Sequence, residues 1–260
     1  MTEAPGLVAR VEGRTGLIEL TRPARRNALM PADRPALLAA LRRFEADAAV
    51  RAVLIRGRGG DFCAGMDLDA FATLRRDPAA LSAFLEEGHA VLAALEASPL
   101  PVVAAVRGWC LAGGLELIAA CDVVIAARGA RFGDAHARHG LIPAWGGSQR
   151  LPRLVGPRRA LDLLFGGHAI GAEEAAAWGL VSRVVEEDAL DAAAAACCAG
   201  LAARSAPGLA AMKRLARATL ALPLDAGLRQ EATEAAALLP GEDATEGLAA
   251  FAARRKPEFG

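Results

Sequence analysis

Two segments of the sequence share a device suited to holding a developing negative charge. Phe62-Cys-Ala-Gly65-Met66-Asp67 and Leu111-Ala-Gly113-Gly114-Leu115-Glu116 each follow an apolar strand and open a helix. The first N–H groups of a helix lack intrahelical partners and lie at the positive end of its dipole. Glycine lets a ligand approach that backbone closely. If the two turns meet across one pocket, two N–H donors can aim at a single oxyanion. Taken singly, either turn reads more readily as tight packing than as a site. Neither carries the Gly-Lys-Ser/Thr of a phosphate loop. Gly57-x-Gly59 lacks the third glycine and the later acid of a dinucleotide fingerprint.

The acid–base inventory is short. Glu116 sits in an otherwise apolar helix start, Gly113–Ala120, where a carboxylate is either a partner of the helix dipole or a general base. His136 and His139 lie in Gly133-Asp-Ala-His-Ala-Arg-His-Gly140, and three-residue spacing on a helix puts both on one face. A metal pair there has no third ligand nearby, so no metal is expected. Asp134 reads as the N-cap of this short helix. No Gly-x-Ser-x-Gly elbow exists, and Ser148 has no base beside it. Cys63 and Cys110 have small apolar neighbours and read as packing.

Composition narrows the function classes. The chain has 260 residues, 54% hydrophobic and 23% charged, which is a globular makeup. Thirty basic and 30 acidic side chains leave a formal net charge of zero, without the cationic footprint of nucleic-acid binding. A charge-driven membrane role is equally unsupported. The N-terminus, Met-Thr-Glu-Ala-Pro-Gly, carries an acid and no basic stretch before an apolar run. The five cysteines include no C-x-x-C pair, so a reduced, cytoplasmic interior is expected.

The elements that must position these residues read as α/β. Leu7–Val11 and Leu17–Leu20 alternate about a turn and predict a β-hairpin. Pro31–Val50 predicts a helix with both prolines in its first turn. Ala52–Ile55, Pro101–Val106 and Asp122–Ala126 read as buried strands, Arg131–Gly133 as a fragment of another, and Ala79–Ala97 as a helix. Beyond Trp145 the pattern is helical, with one strand at Leu180–Val185. Ala226–Phe259 predicts one or two helices that pack back or dock on a neighbouring subunit. Recurring strand–turn–helix units followed by helices argue for an α/β fold with a helical C-terminal part.

Six motifs then occur in order: Arg22-Pro-Ala-Arg-Arg-Asn-Ala-Leu29; Gly57 through Ala64-Gly-Met-Asp-Leu68; Pro101 to Gly108; Leu111 to Glu116 with Cys121-Asp122; Phe132-Gly through Gly140-Leu-Ile-Pro143 to Leu151; and Ala172-Glu-Glu-Ala through Trp178-Gly-Leu-Val181. Together they resemble the enoyl-CoA hydratase/isomerase (crotonase) family over essentially the whole chain. The resemblance implies a crotonase-like α/β spiral of ββα units over residues 1–200, which binds a CoA thioester. It implies a helical C-terminal trimerisation region over 201–260, assembled as a homotrimer or a dimer of trimers. The partner is then an acyl-CoA thioester, and coenzyme A enters as part of the substrate with no separate cofactor.

Carried over residue by residue, the resemblance makes Met66 and Gly113 the two oxyanion-hole donors. Nucleotide and pyrophosphate would lie along Ala24, Arg25 and Arg26 and the turn Ala64, Asp67 and Leu68. Phe251 and Arg254 match positions that reach the CoA nucleotide of a neighbouring subunit, although a solvated helix tail explains them as well. Pocket walls are expected from the Leu68–Ala97 segment with Trp109, Leu141 and Trp145.

Hydratases of the family use two glutamates, one to deprotonate the attacking water and one to protonate Cα. The first falls on Glu116, but the second falls on His136. Imidazole can also act as acid or base near neutrality, so Glu116 and His136 together could run syn hydration. Ala144 stands where hydratases often have Gly; only its backbone N–H is needed to hold the water. The leading expectation is hydration of a trans-2-enoyl-CoA to a 3-hydroxyacyl-CoA. His136 keeps open another acyl-CoA enolate reaction, such as decarboxylation or C–C cleavage. It disfavours an isomerase, whose proton shuttle is the missing carboxylate. A CoA-binding or RNA-binding protein is the reading from another class, opposed by Glu116 and the zero net charge.

Overall fold

The computed structural model describes residues 6–260; the N-terminal stretch read above for a targeting signal lies largely outside them. Chain order begins β1 (Leu7–Glu12), β2 (Thr15–Leu20), α1 (Asp33–Ala46), β3 (Ala52–Gly57), α2 (Leu68–Leu74) and α3 (Pro78–Ala97). It continues β4 (Val102–Val106), β5 (Trp109–Leu111), α4 (Gly113–Ala119), β6 (Val123–Ala127), β7 (Arg131–Gly133) and a 3-10 turn, His136–His139. Then come α5 (Gly147–Val155), α6 (Pro157–Gly166), β8 (Ala169–Gly171), α7 (Ala172–Ala177) and β9 (Arg183–Val185). Four helices close the chain: α8 (Leu190–Ala202), α9 (Ala206–Ala218), α10 (Leu224–Leu238) and α11 (Glu242–Ala252).

The strands form a six-stranded sheet, β1-β2-β3-β4-β6-β9, and a three-stranded sheet, β5-β7-β8. Only the β1–β2 hairpin is antiparallel in the larger sheet. Its central strands are apolar on both faces because both are covered. Leu17, Leu54 and Val103 stand in register and pack under α8 through Leu190, Ala194 and Cys198. The opposite face, with Ile18, Ile55 and Ala104, belongs to the main core with Leu41, Phe44, Leu92 and Leu95 of α1 and α3.

The spiral repeat is visible in the strand pairs. Each of β4 and β6 passes within a few residues to a short strand of the small sheet, β5 or β7, and then to a helical turn. The segment after β3 does the same through a single bridge, Cys63 to Cys110. This is the α/β spiral of ββα units that the resemblance implies.

Some boundaries differ from the sequence expectation. The helix anticipated over Pro31–Val50 begins at Asp33, whose carboxylate accepts the N–H groups of Met30 and Gly6 at 2.6 and 2.5 Å. The strand expected over Leu180–Val185 is confined to Arg183–Val185. Strands β5 and β8 were not anticipated; three residues are too few to show a period. The C-terminal helices are separate, broken at Pro240-Gly241.

A close approach fixes the wall of the site. Gly88 of α3 faces the Trp145 ring, and a Cβ there would lie 2.2 Å from Trp145 Cδ1. Were that space open, Gly88→Ala would gain about 1 kcal/mol of helix propensity. The overlap instead predicts a loss of ~1–3 kcal/mol, read as a lower denaturation midpoint followed by tryptophan fluorescence. A raised midpoint would contradict the packing.

Candidate active site

The two glycine-bearing turns come together. Gly65 holds φ +95°, and a Cβ on it would sit 2.9 Å from Ala112 Cβ and 3.0 Å from Gly113 N. Gly114 is pressed equally hard on Cys63, whose carbonyl oxygen would be 2.4 Å from an added Cβ. Between them Ala112 adopts φ 49°, ψ −117°, a region L-residues rarely occupy, and such strain persists only where surrounding structure imposes it. The Met66 and Gly113 N–H groups donate to no protein acceptor among the described residues. Both residues line one cavity of about 290 Å³.

Glu116 enters that cavity from the first turn of α4 and is 2% exposed. Its Oε1 accepts the N–H groups of Trp145 and Gly147, each at 2.8 Å. Burial pushes its carboxyl above the usual range, against the downward pull of the Gly147 amide, the His136 charge and the Trp145 amide. The loop carrying those amides is itself held. Arg150 donates to the Trp145 carbonyl at 2.8 Å and makes a paired contact with Glu96 at 2.8 and 2.7 Å. A bidentate pair of this kind fixes direction as well as distance.

His136 and His139 also line the cavity, on the 3-10 turn after β7. His136 Nδ1 lies 2.9 and 3.0 Å from the two oxygens of Asp134, which is 1% exposed. Burial opposes a charged imidazole, but the Asp134 hydrogen bond and the Asp134 and Glu116 charges outweigh it and raise the pKa above the ordinary 6.5. Asp134 is not at the N-cap position expected of it, which Ala135 holds without a side-chain bond; its carboxylate holds the ring and also accepts the first N–H of the turn, that of His136, at 3.1 Å.

Met66, Gly113, Glu116, His136, Leu141, Ala144 and Trp145 all meet at the cavity, with Ala64 and Leu68 at the same wall. Phe71, Leu81, Phe84, Leu85 and Ile142 add to its apolar lining. Trp145 packs on Phe84 with ring centroids 5.6 Å apart. Trp109 is a correction: it does not line this cavity, because it lies on β5 with the Arg26 guanidinium 5.8 Å from its ring.

The loop expected to meet the nucleotide lies against the first turn. Ala64 N–H donates to the Arg26 carbonyl at 2.9 Å, and Leu29 N–H to that of Gly65 at 2.7 Å. Ala24, Arg25 and Arg26 are exposed; Arg25 pairs with Asp69 at 3.0 Å and Arg26 with Asp61 at 3.7 Å. The Asp67 carboxylate is committed to the protein, capping α2 and pairing with Arg22 at 2.9 Å. Phe251 and Arg254 lie outside the cavity lining, and Phe251 is 84% exposed. Among the described residues no helix is long and apolar enough to cross a membrane, and no cluster of three or more His, Cys, Asp or Glu could hold a metal.

Known proteins share this arrangement of chain. The family model described as enoyl-CoA hydratase/isomerase matches residues 11–260. A Rhizobium meliloti protein named probable enoyl-CoA hydratase is 41% identical over 253 residues, 97% of each chain. The 2,3-dehydroadipyl-CoA hydratase of Escherichia coli is 37% identical, over 97% of this chain and 98% of that one. The crystal structure of an enoyl-CoA hydratase from Polaromonas sp. JS666 superposes with a TM-score of 0.94 at 33% identity, covering 98% of this chain and 99% of that one.

The contact between the turns is testable at one atom. Gly65→Ala forces a side chain into a left-handed turn and against Gly113 N. Turnover of a thioester substrate should fall by ~10²–10³-fold, the loss typical of a disabled oxyanion hole, while far-ultraviolet circular dichroism keeps its native helix signal. Wild-type turnover in that variant would show that the approach of the turns is dispensable.

Proposed function

The chain belongs to the enoyl-CoA hydratase/isomerase family, and on that premise we propose that it adds water across a trans-2-enoyl-CoA to give a 3-hydroxyacyl-CoA. One observation carries the reading: Glu116 is anchored on the Trp145 and Gly147 amides in the same cavity as the unpaired Met66 and Gly113 amides. The thioester oxygen is held by those two N–H groups. Water bound by the Glu116 carboxylate and the Ala144 N–H attacks Cβ as Glu116 takes its proton. Electron density moves onto the thioester oxygen, where two fixed donors in a dry site stabilise it without reorganising. His136 then delivers a proton to Cα.

The cavity suits an uncharged acyl group. Its polar side chains are Glu116, His136 and His139, and no Lys or Arg belongs to it among the described residues. The CoA moiety runs outward past Ala64 and Leu68 toward Arg25 and Arg26. The C-terminal helices present Leu224, Leu239, Leu248 and Phe251, each more than 70% exposed. That much exposed apolar surface supports a homotrimer or a dimer of trimers, with Phe251 and Arg254 turned to a neighbour's nucleotide. His136 in place of a second glutamate favours one alternative, a different reaction of the same CoA enolate, such as decarboxylation or C–C cleavage.

Crotonyl-CoA and longer enoyl-CoAs should lose their conjugated-thioester absorbance with the purified protein, and Glu116→Gln should lower kcat by ~10²–10⁴-fold. No absorbance loss with any chain length would transfer the site to the alternative enolate chemistry.

Protonation sets a second expectation. Glu116 must be ionised and His136 protonated, so kcat/KM should rise as pH climbs through the Glu116 pKa, above 4.5. It should fall again as His136 loses its proton, above 6.5. A profile flat across the alkaline limb, unchanged by His136→Gln, would remove His136 from the reaction.

A further inference from the structure

His136 differs from a carboxylate in one respect that matters for proton delivery. A carboxyl group offers two equivalent oxygens on one carbon, whereas a protonated imidazole carries its two N–H donors on opposite sides of a rigid ring. Its use therefore requires something to set the ring orientation and which nitrogen faces the substrate. The structure supplies that partner two residues upstream. Asp134 follows β7 and is buried to 1% exposure. Its Oδ1 accepts the His136 backbone N–H at 3.1 Å, and both its oxygens face Nδ1 of the same residue, at 2.9 and 3.0 Å. A single carboxylate thus grips the residue at its backbone and at its ring. Nε2, the other ring nitrogen, has no protein partner among the described residues, and the ring lines the cavity beside Glu116.

We propose that Asp134 is the positioning residue of the proton donor, holding Nδ1–H so that Nε2 is the nitrogen that serves the substrate's Cα. The inference rests on the preceding reading, in which His136 delivers the proton. In the step itself the Nε2–H bond breaks and a Cα–H bond forms from the enolate electron pair. The ring is left neutral with its remaining proton on Nδ1, still donated to Asp134, which stays ionised. Water contributes its OH to Cβ and its proton to Glu116. That proton passes through solvent to Nε2 when product leaves, so the cycle balances.

The charges around the ring agree with this assignment. Asp134 and Glu116 are the two that bear on His136. His139 lies on the same turn and also lines the cavity, and Arg138 lays its stem along Gly167. From α6, packed against the turn, Asp162 pairs with His168 at 3.4 Å and Arg159 stacks on Trp178 at 5.4 Å.

A turn-forming role alone would leave the ring's chemistry untouched, and Asp134→Asn separates the two. Asparagine keeps an acceptor oxygen for both bonds but removes the charge. The chain has only four histidines, so 15N-labelled imidazoles can be titrated by NMR and His136 assigned by its loss in His136→Gln. In the wild type, the nitrogen shifts should mark Nδ1 as the protonated nitrogen of the neutral ring, with a titration above 6.5. In Asp134→Asn that titration should move down, and the alkaline limb of kcat/KM with it. kcat should fall ~10–100-fold, as when the partner that orients a functional histidine is lost, with KM little changed; Asp134→Glu should restore part of the loss. An unmoved His136 titration in Asp134→Asn would overturn the proposal, as would the opposite tautomer in the wild type. The NMR arm needs no turnover. A protein that shifts as expected but hydrates no enoyl-CoA keeps the Asp134–His136 pair and loses the hydratase reading. A working hydratase whose His136 does not shift does the reverse.

Discussion

A peptide N–H without a protein acceptor is costly inside a fold, and among the described residues two of them stand together at one cavity, on Met66 and Gly113. They are close because the turns that carry them touch, and the turns touch because Gly65 has no side chain. The φ of +95° at Gly65 and the 3.0 Å between its would-be Cβ and Gly113 N leave no room for any other residue. The strained backbone at Ala112 belongs to the same closure. Parallel pairing of β3 with β4, continued by the Cys63–Cys110 bridge, brings the two segments to that contact. The sheet register and the proposed chemistry are in this sense one constraint.

The titratable groups at the cavity are arranged by the same economy. Every carboxylate at the site is tied by at least two protein donors, Glu116 to two backbone amides and Asp134 to an amide and a ring nitrogen. The apolar wall of Phe84, Trp145 and their neighbours lowers the local dielectric and so strengthens each of these interactions. Burial then pulls on the two titrating groups in opposite senses. It favours the neutral forms of Glu116 and His136, while their mutual attraction and Asp134 favour the charged forms. The imidazole answers mainly to its carboxylates and the carboxyl mainly to its burial.

Much of this was legible in the sequence where the signal was local. Glycine-bearing turns between apolar strands and helices singled out Met66 and Gly113, an acid in an apolar helix start singled out Glu116, and the family resemblance singled out His136; the structure brings all four to one cavity. What the sequence could not carry was set by contacts distant along the chain. Whether Gly65 touches Gly113 depends on strand register, and the niche for Trp145 is made by Gly88 on another helix. Trp109 was misplaced because an apolar residue in a short strand gives no sign of which side its ring will face. Asp134 reads as a cap alone because Asp-x-His does not show that the carboxylate serves the ring as well as the turn. The spacing itself was the missed signal, since an Asp reaches the backbone two residues on and with it the side chain there.

The account stands on the two amides polarising one thioester carbonyl, and infrared spectroscopy reads that directly. An enoyl-CoA carrying a 13C-labelled thioester carbonyl, bound to the slow Glu116→Gln protein, isolates the stretch of that one bond by isotope difference. Two donors on the oxygen predict a band displaced to lower frequency than for the same compound in water. A band at its solution frequency or higher would mean that the amides of Met66 and Gly113 do not grip the oxygen.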